Sequence, residues 1–186
     1  MTKQKVLSAY RRIKCKFQRR FQCFLDFSID NERGRIRRVV VELRGDVVPK
    51  TCENFRRLCT GEGLGYTYKG SMVKRIVKDF VVQMGNAGSS SFGHDGALFP
   101  DENFVLRSKG KGDLRMANLG KPNTNCDEFF IVTTDGDTDL DDHFVKFGRV
   151  VQGLEHIIEM QKYAYSGGQV TQGIFIENCG ELSSPS

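Results

Sequence analysis

No apolar run in the 186-residue sequence approaches the roughly 20 residues that a membrane-spanning helix requires. The six cysteines are too few for a disulfide scaffold, and none belongs to a Cys-x-x-Cys pair of the metal-binding or redox kind. The sequence also has no internal repeat. We therefore expect a soluble intracellular protein with reduced thiols, built on one substantial hydrophobic core.

Acidic residues are absent from residues 1–24, a segment that holds eight Lys or Arg. The rest of the chain has 20 basic and 23 acidic residues, so the formal net charge of +5 is a property of the N-terminal segment. This distribution argues against a nucleic-acid-binding core, and it places any contact with an acidic partner on the N-terminus. Three- and four-residue steps between apolar positions predict a basic amphipathic helix there, with Val6, Tyr10, Ile13, Phe17 and Phe21 on one face.

Such an arm has three interpretations. It docks on an acidic surface such as a protein filament, a ribonucleoprotein or an anionic membrane; or it packs on the protein's own domain; or, being rich in Arg and free of acids, it is a mitochondrial transit peptide. The first two favour a cytoplasmic protein, cytoskeleton-associated if the partner is a filament. The predicted domains are residues 1–22 as the extension, 23–182 as the folded domain and 183–186 as a short tail.

The pattern of the folded domain is mainly β. Short runs rich in Val, Ile and Phe alternate with Gly, Asp and Asn clusters, and they predict strands at 23–29, 36–43, 73–77, 80–84, 114–118, 129–133, 147–151 and 174–179. Eight such strands favour a closed eight-stranded antiparallel β-barrel.

Two segments have helical spacing instead. "VPKTCENFRRLCTG" has Pro49 at a helix start, Cys52, Phe55 and Cys59 on one face, and Gly61 as a stop. "LEHIIEMQKY" places Leu154, Ile157, Ile158 and Gln161 on one face in the same way. We expect both helices to cap the barrel.

One predicted strand region carries charge inside an apolar run. The stretch "SMVKRIVKDFVVQMG", residues 71–85, has the Arg75 guanidinium near its centre and an amide at Gln83. Alternation along a strand leaves it open whether Arg75 faces water or a functional groove.

Six segments of the sequence, in this order, resemble the cyclophilins, a family of peptidyl-prolyl cis–trans isomerases. They are "VPKTCENFRRLCTGE", "YKGSMVKRIVKDFVVQMG", "FPDENF", "MANLGKPNTNCDEFFI", "LDDHFVKFGRV" and "NCGEL". The resemblance extends from about Cys23 to Leu182. It implies a barrel with two capping helices, an activity on X–Pro bonds of proline-containing polypeptides, and a site that uses no metal and no cofactor.

The resemblance also implies roles for single residues. Arg75 is the catalytic cation, and Gln83 holds the substrate carbonyl and orients Arg75. The implied substrate-binding residues are Phe80, Val81, Asn118, Glu128, Phe130, Leu140 and His143. By pattern alone Phe80, Phe130 and Leu140 also fit an ordinary core.

Several positions depart from the family. Lys74 stands where the family has His, Val81 where it has Met, Glu128 where it has Gln, and Asp139 where it has Trp. A second family His aligns with Phe144 without a gap, or with His143 if the loop shifts by one residue.

A carboxylate at position 128 is a strong potential partner for Arg75, and that pair would occupy the catalytic cation. Two functions therefore remain open: an isomerase with weakened activity, or a cyclophilin-like structural subunit with a vestigial groove, docked on a larger assembly by residues 1–22.

Overall fold

The computed structural model describes residues 20–30, 32, 34–85, 98–136 and 139–182. These residues form two α-helices, α1 (Pro49–Thr60) and α2 (Leu154–Met160), and short 3-10 helices at Gln161–Tyr163 and Ser166–Gly168. The eight strands are β1 (Arg20–Ile29), β2 (Arg37–Arg44), β3 (Val73–Val77), β4 (Val81–Met84), β5 (Asp113–Asn118), β6 (Asn125–Val132), β7 (Lys146–Gln152) and β8 (Ile174–Leu182).

All eight strands belong to one antiparallel sheet in the order β3-β4-β6-β5-β7-β2-β1-β8. The predicted closed barrel is wrong, because the described residues contain no ladder between the edge strands β3 and β8. The edges approach each other at an isolated bridge between Met72 and Phe175, flanked by hydrogen bonds from Gly70 N to Ile176 O of 2.7 Å and from Ile176 N to Ser71 O of 2.8 Å. β3 begins one residue beyond that bridge and pairs with β4, so the sheet curls without closing.

Strict alternation in the central strands gives the sheet two apolar faces. Val82 and Met84 of β4 lie in the main core, together with Leu114 and Met116 of β5 and Phe129 and Ile131 of β6. The residues between them point outward, and four of these form a second buried cluster with Leu140; they are Val81, Ala117, Phe130 and Val132. The outer face of these strands is therefore shielded from solvent where Leu140, Phe80 and Phe144 pack on it.

The predicted helix after Val48 is confirmed as α1. Cys52, Phe55 and Cys59 are buried in the main core, as their spacing indicated. Gly61 ends the helix in the left-handed conformation, with φ of 75°, and its N–H donates to Arg57 O. No side chain from Val48 caps the first turn, and a distant residue takes this role: the Glu102 carboxylate accepts from Lys50 N and Thr51 N at 3.0 and 2.8 Å.

The second predicted helix is also confirmed, as α2 followed directly by the 3-10 turn at Gln161–Tyr163. Ile157 and Met160 are its buried residues, and α2 contacts β2. Gly153 precedes it with φ of 81°, and a Cβ at this position would lie 2.2 Å from Arg38 O. Only glycine fits this close approach between the helix start and β2.

The predicted helix over residues 1–22 lies outside the described residues except at its end. Arg20, Phe21 and Gln22 belong to β1, where they pair with β2, so the strand begins three residues before the predicted start. The tail at 183–186 also lies outside the described residues. The five described cysteines are free thiols, and none of the described helices is long and apolar enough to cross a membrane.

Candidate active site

The predicted catalytic residues are brought together by strand register. Arg75 of β3 lies opposite Gln83 of β4, Gln83 lies opposite Phe130 of β6, and Phe130 lies opposite Arg115 of β5. Directly opposed residues of antiparallel strands project to the same face of a sheet. The four side chains therefore form one row across the outer face, running from the exposed guanidinium of Arg75 toward the second apolar cluster.

The predicted pocket residues lie in this second cluster and not in the main core. Val81, Phe130 and Leu140 are buried, and Phe80 packs against them from the β3–β4 turn while remaining partly accessible. These residues therefore form a buried apolar cluster of their own, separate from the main core and beside Arg75 and Gln83.

The loop after Leu140 places the side chains of His143 and Phe144 in different surroundings. Phe144 packs edge-to-face on Phe130, with ring centroids 5.3 Å apart, so it occupies the position beside the pocket. The His143 side chain is exposed, and its backbone carbonyl accepts a hydrogen bond of 2.8 Å from Asn118 Nδ2. His143 still lines a neighbouring cavity of about 280 Å³, together with Asn118 and Phe144.

Arg75 is exposed on β3, and its stem lies along the backbone of Gly168. A Cβ at position 168 would be 2.8 Å from Arg75 Cγ and Nε, so a larger residue would displace the Arg75 stem, and the φ of 86° also favours glycine here. Within the described parts of the chain the guanidinium makes no ion pair and no hydrogen bond. Its donors therefore point to solvent next to the apolar cluster.

The Glu128 carboxylate bonds to two other groove residues. Its Oε1 accepts from Lys74 Nζ at 2.5 Å, and its Oε2 accepts from Gln83 Nε2 at 2.7 Å. The Glu128–Arg75 pair considered from the sequence is not formed among the described residues. Glu128 is 5% exposed, and a buried carboxylate needs such a cation and donor, because an unpaired buried charge is strongly destabilising. Lys74, at the departure from the family His, supplies that cation.

Sequence reasoning missed Arg115. This side chain is 1% exposed, and its guanidinium bonds to Ser108, Asp141 and the backbone carbonyls of Leu140 and Phe144. The sequence feature that indicates Arg115 is "DLRMAN", a cation inside an apolar strand, which is the same pattern as that around Arg75.

The groove brings together an exposed cation, amide groups and a buried apolar cluster, which are the kinds of group needed to bind and polarise a peptide bond. The nearby Cys126 thiol is buried, and burial raises its pKa to about 11, so it is protonated at neutral pH and is a poor nucleophile. The described residues contain no cluster of three or more His, Cys, Asp or Glu side chains arranged to hold a metal ion.

Comparison with protein families agrees with this arrangement. The family described as cyclophilin type peptidyl-prolyl cis-trans isomerase/CLD matches residues 24–181, which cover the whole sheet except the first residues of β1 and the last of β8. The chain belongs to the cyclophilin-type peptidyl-prolyl cis–trans isomerase family.

Proposed function

We propose that this protein catalyses cis–trans isomerisation of X–Pro bonds in polypeptides, with Arg75 as the catalytic cation. Rotation about the C–N bond faces a barrier of roughly 18–20 kcal/mol because of its partial double-bond character. A cation aimed at the prolyl nitrogen localises the nitrogen lone pair and weakens that resonance. The barrier falls because the interaction is stronger in the twisted transition state than in the planar ground state.

The observation that carries the proposal is the placement of Arg75. Its guanidinium is in register with Gln83 and next to an apolar cluster that is separate from the core. In the proposed complex the proline ring lies against Phe80, Phe130 and Leu140. Gln83 and Asn118 bind the substrate backbone, and the peptide group before the proline is left to rotate.

The proposed activity is weaker than the family pattern implies. Gln83 already donates one amide hydrogen to Glu128, and Asn118 already donates one to the His143 carbonyl. Each amide keeps a second hydrogen for a substrate. Binding therefore competes with, or adds to, hydrogen bonds that exist in the unbound protein.

The test is an isomerisation assay on the full chain with a short proline-containing peptide, comparing the native protein with Arg75→Ala. A hydrogen bond from a charged donor is worth about 1.5–3 kcal/mol, so kcat/KM is expected to fall roughly 10- to 100-fold. Arg149→Ala is the matched control, since Arg149 is also an exposed strand arginine but lies on β7. Equal activity in the native protein and Arg75→Ala would contradict the proposal.

The second candidate function is a cyclophilin-like structural subunit of the cytoplasm, docked on an acidic assembly by residues 1–22. It is favoured by one observation, the eight cations without an acid at residues 1–24. A mitochondrial destination is the competing account of the same segment. Absence of isomerase activity in the native chain, with a normally folded domain, would favour the structural role.

A further inference from the structure

The loop between β6 and β7 contributes Leu140 and Phe144 to the apolar cluster, and the Arg115 side chain of β5 donates hydrogen bonds to this loop. We call residues 139–144 the pocket loop. Arg115 Nη1 donates to Leu140 O at 3.0 Å and to Phe144 O at 2.9 Å, so one nitrogen bonds to both ends of the loop. Arg115 Nη2 donates to Asp141 Oδ1 at 2.6 Å and to Ser108 Oγ at 2.7 Å. Four of the five guanidinium donors are thus directed to the pocket loop and its support.

The pocket loop has little internal structure to fix its shape. Phe144 N donates to Leu140 O at 3.1 Å and His143 N to the same carbonyl at 3.4 Å. Asp142 has φ of 65°, a conformation that costs free energy in a residue other than glycine. Bonds from outside the loop therefore add to these two hydrogen bonds in holding Leu140 and Phe144 against the sheet.

Charge compensation ties the loop to β5. Asp141 is the carboxylate partner of Arg115, and both side chains are largely buried, at 12% and 1% exposure. Burial pushes the pKa of Asp141 up, but the hydrogen bonds from Arg115 and Ser108 outweigh burial and hold it below its usual range. Movement of the loop away from β5 would leave a buried guanidinium without its counter-ion, which is strongly unfavourable.

We propose that Arg115 is a positioning residue that sets the width of the proline pocket by fixing Leu140 and Phe144 opposite Phe130. Its effect on catalysis rests on the function proposed above; its effect on the loop does not. A pocket wall contacts the proline ring in the ground state and in the transition state alike. Loss of the wall should therefore raise KM and leave kcat nearly unchanged, whereas loss of Arg75 lowers kcat.

The experiment compares the full native chain with the double variant Arg115→Met/Asp141→Asn, which removes the donors without leaving a bare buried carboxylate. We expect KM for an X–Pro peptide to rise about tenfold with kcat within about twofold. We also expect the Phe144 backbone amide to exchange with solvent at least about tenfold faster, because its hydrogen bond opens with the loop.

Arg37→Met is the matched control. Arg37 is also fully buried and ion-paired, with Glu32 and Glu159, but it contacts no pocket residue in the described structure. It should lower stability and leave both KM and Phe144 exchange unchanged. Arg115→Lys keeps the charge opposite Asp141 but cannot reproduce the planar fork of the guanidinium. Compared with the double variant, it should restore most of the stability but less of the native KM.

The outcomes separate the two proposals. If the native chain shows no isomerase activity, Phe144 exchange and titration with the same peptide still test the role of Arg115. Native exchange and native peptide affinity in the double variant would overturn it. If the double variant does not fold, Arg115→Lys decides by the same two measurements, with native values overturning the proposal.

Discussion

At the scale of single residues, the Glu128 carboxylate determines which groove side chains already have a partner before a peptide binds. It takes one hydrogen bond from the Gln83 amide and is neutralised by Lys74, whose side chain is half exposed. A hydrogen bond to a carboxylate is about twice as strong as one between neutral groups. The Gln83 amide is therefore held more firmly than it would be beside a neutral partner.

Glu128→Gln should raise the isomerase activity of the native chain. The change replaces a charge-assisted hydrogen bond with a neutral one, which releases about 1 kcal/mol of the restraint on Gln83 and should raise kcat/KM roughly fivefold. The same peptide assay measures it. Glu42→Gln on β2 is the control, since Glu42 lies on a strand remote from the groove in the sheet order. A fall in activity would mean that Glu128 supports Gln83 in its productive orientation.

At the scale of elements, the connection between β1 and β2 is bound to α2 and the following turn by a network of charges. The Glu32 carboxylate accepts from Tyr163 Oη at 2.7 Å and from Lys162 Nζ at 3.1 Å, and it also bonds to the buried Arg37. The Tyr163 hydrogen bond, followed by that of Lys162, lowers the pKa of Glu32 from 4.5 to about 2.

This pKa shift predicts a loss of stability in acid. Because the folded-state pKa lies below the unfolded-state value, the contribution of Glu32 is complete above pH 4.5 and is lost as the pH falls toward 2. The Tm of the native chain should therefore fall with pH in this range more steeply than the Tm of Glu32→Gln. Thermal unfolding between pH 2 and pH 7 measures both curves. Parallel curves for the two proteins would show that the network contributes no pH dependence.

At the scale of the whole molecule, β1 defines where the folded domain begins. Arg20, Phe21 and Gln22 pair with Arg44, Leu43 and Glu42 of β2, and Gln22 also pairs with Leu182 of β8. Phe21 packs against the main core. These three residues belong to the sheet, although the charge pattern grouped them with the N-terminal extension.

Two truncations that differ by three residues should therefore behave differently. Deletion of residues 1–19 should leave Tm unchanged, whereas deletion of 1–22 should lower it by about 2–8 °C, because Phe21 and its strand pairing contribute about 1–2 kcal/mol. Both should lose sedimentation with an acidic protein filament, and binding by the full chain should weaken as salt rises, since screened attraction reaches only about 8 Å at physiological salt. Equal Tm values for the two truncations would contradict the assignment of Arg20–Gln22 to the fold.

Features set by neighbours in the chain could be predicted from the sequence. The buried face of α1, Cys52, Phe55 and Cys59, follows from helical spacing, and its ends follow from Pro49 and Gly61. The strand positions follow from alternation, with boundaries shifted by up to four residues. Most of the candidate site came from the resemblance to a known family, and strand register then brought Arg75, Gln83 and Phe130 into one row.

Features set by distant parts of the chain were decided only by the tertiary structure. Sheet closure depends on whether β3 and β8 meet along their length, which no local pattern specifies. A one-residue shift in the alignment separates His143 from Phe144, and only the tertiary structure shows that Phe144 is the one that packs on Phe130. The partner of Glu128 is chosen by distance across strands, and Arg115 reaches carbonyls 25 and 29 residues further along the chain. Each charged side chain has several possible partners of similar chemistry in the sequence. Electrostatic attraction depends on distance, so only the folded structure determines which ion pairs and hydrogen bonds form.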